Sequence, residues 1–469
     1  MKPMNTAVAC ALVLAAGSAA AADSQEVQQL RQQMQAMQEQ MQAMQNRMNA
    51  MSAPSTGTAN APASVGNVAP PSADTSKLTT NIGGASVTLY GFADVSADQT
   101  RDGVHSGSQV SSNLSYLGVR ANKPLGSSGL SAIAQFETLV NVSGTPTETG
   151  GLGSRNSYVG LQGSFGKLML GKTDTPYKRA TAGMDPFASS VGDYNTIMGN
   201  TGGDLRAEFD ARVPHSIFYD SPKYAGFTVN ALFSPGQKYD NLGNSDKYAF
   251  AQGEKVCSGA TPGSSGSLPD AGSTLCNDGA FTSAGSVAVT YENGPLLAIA
   301  SYERHNAVDR TSDNGGVTSK ESAGKVGATW NFGSNRLSGI YEKFYRGGSI
   351  DPAVNERARK GYYISDVQDL GYNLDLMGAW AHAGQTPGGP DFGTVSDKAN
   401  MYALGLKYRF DKQASVYLVG AVLKQDAGAH YALGAGGHGT AIASPRNDNG
   451  DNIPGQTLKA VSAGVQYAF

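Results

Sequence analysis

Two Trp and three Cys are all that 469 residues contain of those types, and 35 Lys and Arg stand against 38 Asp and Glu, so positive charge is not in surplus. Each shortage excludes something. No basic run is present, and no nucleic-acid partner is expected. No internal stretch reaches the roughly 20 apolar residues that a membrane-spanning helix requires, so a chain that crosses a membrane must do so with strands. Cys10 lies in an apolar N-terminal run, which leaves Cys257 and Cys276. No histidine stands beside them, and two thiols alone are a poor zinc set, so no metal is expected. Catalytic motifs are missing too: there is no G-x-S-x-G, no H-E-x-x-H and no Walker loop. The six histidines, His105, His215, His305, His382, His430 and His438, are scattered. Neither an enzyme nor a cofactor is implied.

What is there begins with an address. Lys2, the apolar run "TAVACALVLAAGSAAAA" and the small-residue site Ala20-Ala21-Ala22 before Asp23 spell a secretory signal peptide over residues 1–22. An even pair of cysteines in an exported chain suggests a disulfide between Cys257 and Cys276, with two free thiols as the alternative. Residues 23–51 follow as a candidate helix, and its stretch 27–51 is mostly Gln, Met and Ala. Their apolar positions, Val27, Leu30, Met34, Met37, Met41, Met44, Met48 and Met51, step by three and four in unbroken alternation. That is the seam of a coiled coil. A helix of that length spans about 37 Å and is marginal alone in water, so association is expected to bury the Met stripe. Met packs adaptably and specifies strand number weakly. A low-complexity Gln tract is the alternative. Residues 52–85 follow as a Pro/Ala/Ser/Thr linker.

From Ser86 the texture changes to short alternating segments. "SVTLYGFADVSADQ" puts Val87, Leu89, Gly91, Ala93 and Val95 on one face, and Thr88, Tyr90, Phe92, Asp94 and Ser96 on the other. Candidate strands start near Ser86, Ser111, Leu130, Arg155, Lys167, Val213, Phe227, Ser245, Ala284, Leu296, Ser319, Arg336, Arg357, Gly371, Lys398, Ser415 and Thr457. The run from Ser245 is the weakest, and sixteen strands are expected. Short turns (126–129, 164–166, 221–226, 292–295, 333–335, 411–413) alternate with long polar connections (143–153, 172–212, 235–283, 306–318, 346–356, 384–396, 426–456). Short turns at one end and long loops at the other fit a transmembrane barrel. Closure is required, because lipid leaves no partner for an open sheet edge. The fold expected over 86–469 is therefore all-β, a 16-stranded antiparallel transmembrane β-barrel.

Several segments resemble the general porins of Gram-negative outer membranes, and are most similar to the sixteen-stranded trimeric porins of β-proteobacteria. "SVTLYGFADV" resembles their first strand, and "SYLGVRANKPLGSSGLSAIAQFE" their second and third. "SRNSYVGLQGSFGKLMLGK" and "RVPHSIFYDSPKYAGFTVNALFS" resemble two further signatures. The end "VSAGVQYAF" resembles a barrel-assembly signal, with terminal Phe469. Lys172 stands where the family has Arg, and Tyr116 where an Arg is often found. The resemblance implies a homotrimer in outer-membrane lipid and lipopolysaccharide, inserted by the barrel-assembly machinery, that passes small hydrophilic solutes. It also implies that the N-terminal helix lies in the periplasm. A substrate-selective channel, for carboxylates for example, and a structural tether to peptidoglycan are the other readings.

The resemblance further implies that connection 172–212 folds into the lumen as a constriction. Long connections without regular structure are commonly functional. This one carries Asp185, Asp193, Asp204, Glu208 and Asp210 against Lys178, Arg179 and Arg206. Arg155 and Arg212, with Arg120 and Lys172, stand on the matching walls, and Glu137 faces inward by strand parity. An acidic loop opposite a basic wall would set a transverse field across a narrow passage.

Overall fold

The computed structural model describes residues 78–144, 152–199, 209–235, 237–238, 248–249, 283–308, 319–347, 358–386, 395–429, 431–439, 442 and 453–469. The signal peptide, the seam from Val27 to Met51, the linker up to residue 77, Asp204, Arg206, Glu208, Cys257, Cys276 and His430 lie outside the described residues.

Sixteen antiparallel strands close into a barrel. They are β1 (Ala85–Arg101), β2 (in two segments, Ser106–Ser112 and Tyr116–Pro124), β3 (Ser131–Leu139), β4 (Ser157–Gly163), β5 (Gly166–Asp174), β6 (Arg212–Asp220), β7 (Phe227–Ser234) and β8 (Ser283–Asn293). The ring continues through β9 (Leu296–Val308), β10 (Ser319–Phe332), β11 (Asn335–Gly347), β12 (Lys360–Asp369), β13 (Leu374–Ala383), β14 (Ala399–Arg409), β15 (Ala414–Gln425) and β16 (Leu458–Ala468). The run from Ser245, the weakest of the candidates, is not a stave, and the count is sixteen: β7 pairs directly with β8, from Phe227↔Tyr291 to Ser234↔Ala284, and leaves no room for a strand between them. Among the described residues of that connection, Gln237–Lys238 pairs with Tyr248–Ala249 in a two-residue ladder. The runs near Ser415 and Thr457 are both strands. The linker also ends earlier than expected, because Thr79–Ile82 folds back on Ala85–Thr88 through Gly83 and Gly84.

Polarity is inverted relative to a water-soluble protein. Outward positions such as Val159, Leu161, Leu168, Leu170, Val326, Leu404, Leu406, Val461 and Val465 are exposed, whereas inward Asp94, Ser96, Glu303, Lys325 and Glu342 are buried. Period-two alternation produces this directly, one face per parity. An apolar outer surface this extensive suits lipid rather than water. Phe165, Phe227, Phe332 and Phe410 stand exposed beside the short turns, in the manner of an interfacial girdle.

Closure is made by β1 and β16, which pair from Phe92↔Ala468 to Arg101↔Lys459. The last residue completes the seam: Phe469 exchanges backbone bonds of 3.0 and 3.1 Å with Gly91. Its ring lies where a Cβ on Gly91 would stand. Gly91→Leu is therefore expected to destabilise the closed barrel by about 1–3 kcal/mol through overpacking. Thermal unfolding in detergent measures it, and an unchanged midpoint would contradict this packing.

Strand β2 is interrupted. Asn113, Leu114 (φ 50°) and Ser115 leave the ladder between Val95↔Ser112 and Phe92↔Tyr116. The Asn113 side chain turns inward and donates to Asp94 Oδ1, Ser96 Oγ and Tyr417 Oη.

The largest packed core lies inside the barrel. Connection 175–211, called the third loop because the β1–β2 turn and the β3–β4 connection precede it at the same end, opens with helix α1 (Pro176–Ala182), capped by Thr175 and begun by a proline. Proline suits the first turn, where no N–H is needed. Further along, Met184, Phe187, Val191, Tyr194, Ile197 and Met198 pack with Ile299, Ile340, Tyr363, Met377, Tyr417 and Val419 of the inner wall. A loop this apolar on one side gains its place by burial. It covers the inner face of the later strands and leaves the early strands, up to β6, as the other wall.

Candidate functional site

Cations gather on that early wall. Arg212 reaches Asp174 Oδ1 at 3.0 Å and donates from Nε to Asn156 Oδ1 at 2.8 Å. Asn156 in turn donates to Asp174 Oδ2 at 2.8 Å, and Lys178 Nζ stands 3.6 Å from the same carboxylate. Arg155 Nε lies 3.5 Å from Glu137 Oε2, with its guanidinium 4.6 Å over the Tyr116 ring. Among the described residues, Arg155 Nη1 has no hydrogen-bond partner. Arg120 lies 4.2 Å over the Tyr90 ring, and Tyr90 donates its hydroxyl to Glu137 Oε1 at 2.8 Å. Arg179 of α1 grips Asp220 with two bonds of 2.9 Å, and Lys167 lies close enough to interact with both by charge. Lys172 sits at a bulge of β5 and donates to Ser154 O at 2.9 Å.

Strand parity explains most of this constellation. Tyr90, Arg120, Glu137, Lys167 and Asp220 occupy inward positions of β1, β2, β3, β5 and β6. Arg120, Glu137, Lys172 and Arg212 lie on the early strands, and Arg155 lies just before β4. Sequence reasoning missed Asp174, Asp220, Lys167 and Asn156. Inward parity on a short strand beside a long loop was the available signal for Lys167 and Asp220.

The loop acids are placed differently from the sequence expectation. Asp185 accepts from the backbone N–H groups of Phe187 and Tyr194, both at 2.9 Å, and from the Tyr363 hydroxyl at 2.8 Å. Asp193 accepts from Ser189 N at 2.6 Å and Asn195 N at 2.8 Å. Asp210 pairs with Lys325 at 2.6 Å and accepts from Tyr194 and Asn195. All three are buried, Asp193 within the loop's own fold and Asp185 and Asp210 between the loop and the wall behind it. Backbone geometry is the reason, since short acidic side chains beside turns satisfy free N–H groups.

Burial raises the Asp185 carboxyl above the ordinary range, and the neighbouring Asp193 charge adds to that. Burial likewise raises Asp193. Burial opposes ionisation of Asp210 as well, but the Lys325 ammonium outweighs it and holds that carboxyl low. The two raised acids keep protons in the folded state that the unfolded chain has released above pH ~4. The folded state then binds more protons than the unfolded one, and stability falls as pH rises. Thermal midpoints in detergent are expected to fall from pH 5 to pH 8. A rising midpoint over that window would contradict the burial of these two acids.

Among the described residues no His, Cys, Asp and Glu group has the makings of a metal site. The described histidines are not brought together: His105 pairs with Asp102, His305 with Glu303 and His438 with Asp98.

Known proteins give the same fold. The family model for Gram-negative porins matches residues 7–428. Major outer membrane protein P.IB of Neisseria sicca is 33% identical over 173 residues, which is 35% of this chain and 45% of that protein. The chain spans about half the length of the curated relatives it matches. The anion-selective porin from Comamonas acidovorans superposes with a TM-score of 0.58 at 21% identity, covering 82% of this chain and 100% of that chain. Salmonella typhi OmpF in complex with daunomycin gives 0.54 at 12% identity, over 83% and 100% of the two chains. At such identities the likeness is one of fold. The family match runs through nearly all of the barrel, and the chain belongs to the Gram-negative porins.

Proposed function

We propose that this chain forms a water-filled outer-membrane channel for passive diffusion of small hydrophilic solutes, with a preference for anions. One observation carries the reading. Among the described residues, Arg120, Arg155, Lys167, Lys172 and Arg212 on or beside the early strands, with Lys178 and Arg179 of α1 facing them, outnumber the acids they meet, Glu137, Asp174 and Asp220, while Asp94 and Asp98 are occupied by wall hydroxyls, amides and His438, and Asp185, Asp193 and Asp210 by the folded loop and the wall behind it. On this reading the transverse field is one-sided, and a passage whose charge is mostly positive draws anions. Low-dielectric walls concentrate that field. The name of the Comamonas protein, an anion-selective porin, is in keeping with this.

A carboxylate-selective channel is the second reading, favoured by the free Nη1 of Arg155 beside Arg212. A guanidinium fork suits a carboxylate. Bilayer recordings in a salt gradient test both. Ohmic current with an anion-side reversal potential is expected of the first, and current that saturates and is blocked by small carboxylates of the second. A cation-side reversal potential would overturn the reading.

A homotrimer inserted by the barrel-assembly machinery belongs to the same proposal. Lipopolysaccharide is the lipid partner it names, supported by outward Arg304, Lys343 and Lys360 at the long-loop ends of β9, β11 and β12. The reaction class is transport, not catalysis. The periplasmic coiled coil and its contact with peptidoglycan are proposals on residues 23–51. Retention of the full chain on cell-wall sacculi, compared with a deletion of residues 23–77, tests them.

A further inference from the structure

Residues 431–439, "YALGAGGHG", belong to the last long connection, between β15 and β16. Tyr431, Ala432 and Leu433 are buried, and the His438 side chain is fully enclosed. The segment lies against the third loop on one side and against the interruption of β2 on the other. Gly434 N donates to Thr196 Oγ1 at 3.0 Å, and Gly439 N donates to Asn113 Oδ1 at 3.0 Å. His438 Nε2 stands 3.1 Å from Asp98 Oδ2.

The wall anchors are held in place before the segment reaches them. Asp98 accepts from Ser111 and Ser462, each at 2.6 Å. Asn113 is fixed by its three inward bonds, and its interruption of β2 frees the oxygen that Gly439 uses. The fit on the third loop depends on glycine. A Cβ at position 436 would overlap Asp193 Oδ1 and stand 2.6 Å from Asn195 Cβ. Asp193 is the carboxylate that caps the turn Tyr194–Thr196 and accepts from Ser189, so the segment presses on the group that shapes the loop there. Val191 of the third loop is fully buried, with its Cα near position 434.

We infer that residues 431–439 are a clip that holds the third loop in register. Gly436 and His438 serve as positioning residues for the passage, one seated on the loop and one on the barrel wall. The inference rests on the channel reading for its functional consequence only. The third loop is packed at its rear against β9 to β15 and at its outer edge against the clip. Without the clip that edge is bare, and the loop is free to shift out of the passage.

The test uses the full chain with Cys257 and Cys276 replaced by Ser and a reporter cysteine at Val191. In that background the reporter is expected to resist a membrane-impermeant maleimide. Gly436→Ala, and more strongly Gly436→Val, are expected to make it reactive and to raise single-channel conductance roughly twofold, with added noise. His438→Gln, which keeps a hydrogen bond to Asp98, is expected to give a smaller change in the same direction. Conducting Gly436→Val channels with wild-type conductance and an unreactive reporter would overturn the clip. A parent protein that passes no current would instead overturn the channel reading, and labelling of the reporter would still decide the clip.

Discussion

Arg155→Ala with Arg212→Ala is expected to abolish the anion preference of the open channel. Each substitution removes a cation and also uncovers its carboxylate: Glu137 behind Arg155, and Asp174 behind Arg212. The local charge thus swings further than the two deletions alone suggest. Asp174 retains Lys178 at 3.6 Å, so the larger share should come from the Arg155 side. Two charges about 4 Å apart interact by about 4 kcal/mol at an effective dielectric of about 20. Even a fraction of that, felt by a passing ion, changes a permeability ratio about tenfold. Reversal potential in a salt gradient is the measurement. A double variant that reverses at the wild-type potential would show that neither arginine faces the permeating ion. Arg212→Lys is expected to keep most of the preference, because its charge remains while its bond to Asn156 is lost.

Lys325→Met is expected to be the most damaging single change behind the third loop. Lys325 is fully buried, 2.6 Å from Asp210 Oδ1, 3.0 Å from Thr181 Oγ1 and 3.9 Å over the Tyr177 ring. Removing it leaves a buried carboxylate without its counter-charge, which costs about 3–5 kcal/mol. Asp210 would then take up a proton at a higher pH than in the wild type. Because the Lys325 ammonium holds that carboxyl low in the intact protein, its stabilisation is present above pH ~4 and lost as pH falls through the lowered value. In the variant that pattern inverts, and stability rises on acidification. Adding Asp210→Asn removes the stranded charge, so the double variant is expected to be more stable than Lys325→Met alone. Thermal unfolding in detergent at pH 5 and pH 8 checks both statements. A single variant as stable as the wild type would mean that the pair contributes nothing to docking the loop.

Much of the barrel is legible in the chain because alternation is a local property. Val87, Leu89 and Val95 face outward and Tyr90, Asp94 and Ser96 inward for the same reason that any strand has two faces. The short turns sort to one end because an antiparallel pair needs only a few residues to reverse. The interruption at Asn113–Ser115 is not legible in this way. "SSNLSYLGV" reads as one segment, and the break makes sense only against Gly439, 326 residues later. The run from Ser245, weak already in its local pattern, has no place in the ring because β7 and β8 pair directly.

The site divides along the same line. Glu137 could be placed inward from parity, and the resemblance added Arg155, Arg212, Arg120 and Lys172. The acids of the third loop could not be placed. Irregular backbone has no period, and whether Asp185 or Asp193 meets water or a backbone N–H depends on the turn the loop makes. Residue order alone was enough for a closed sheet with an apolar outside, a polar inside and one long inserted connection. Which acids are consumed in holding the loop, and where the last connection meets the third loop, are decided only by the tertiary structure. Those outcomes depend on contacts between residues tens to hundreds of positions apart, and no local pattern of hydrophobicity encodes them.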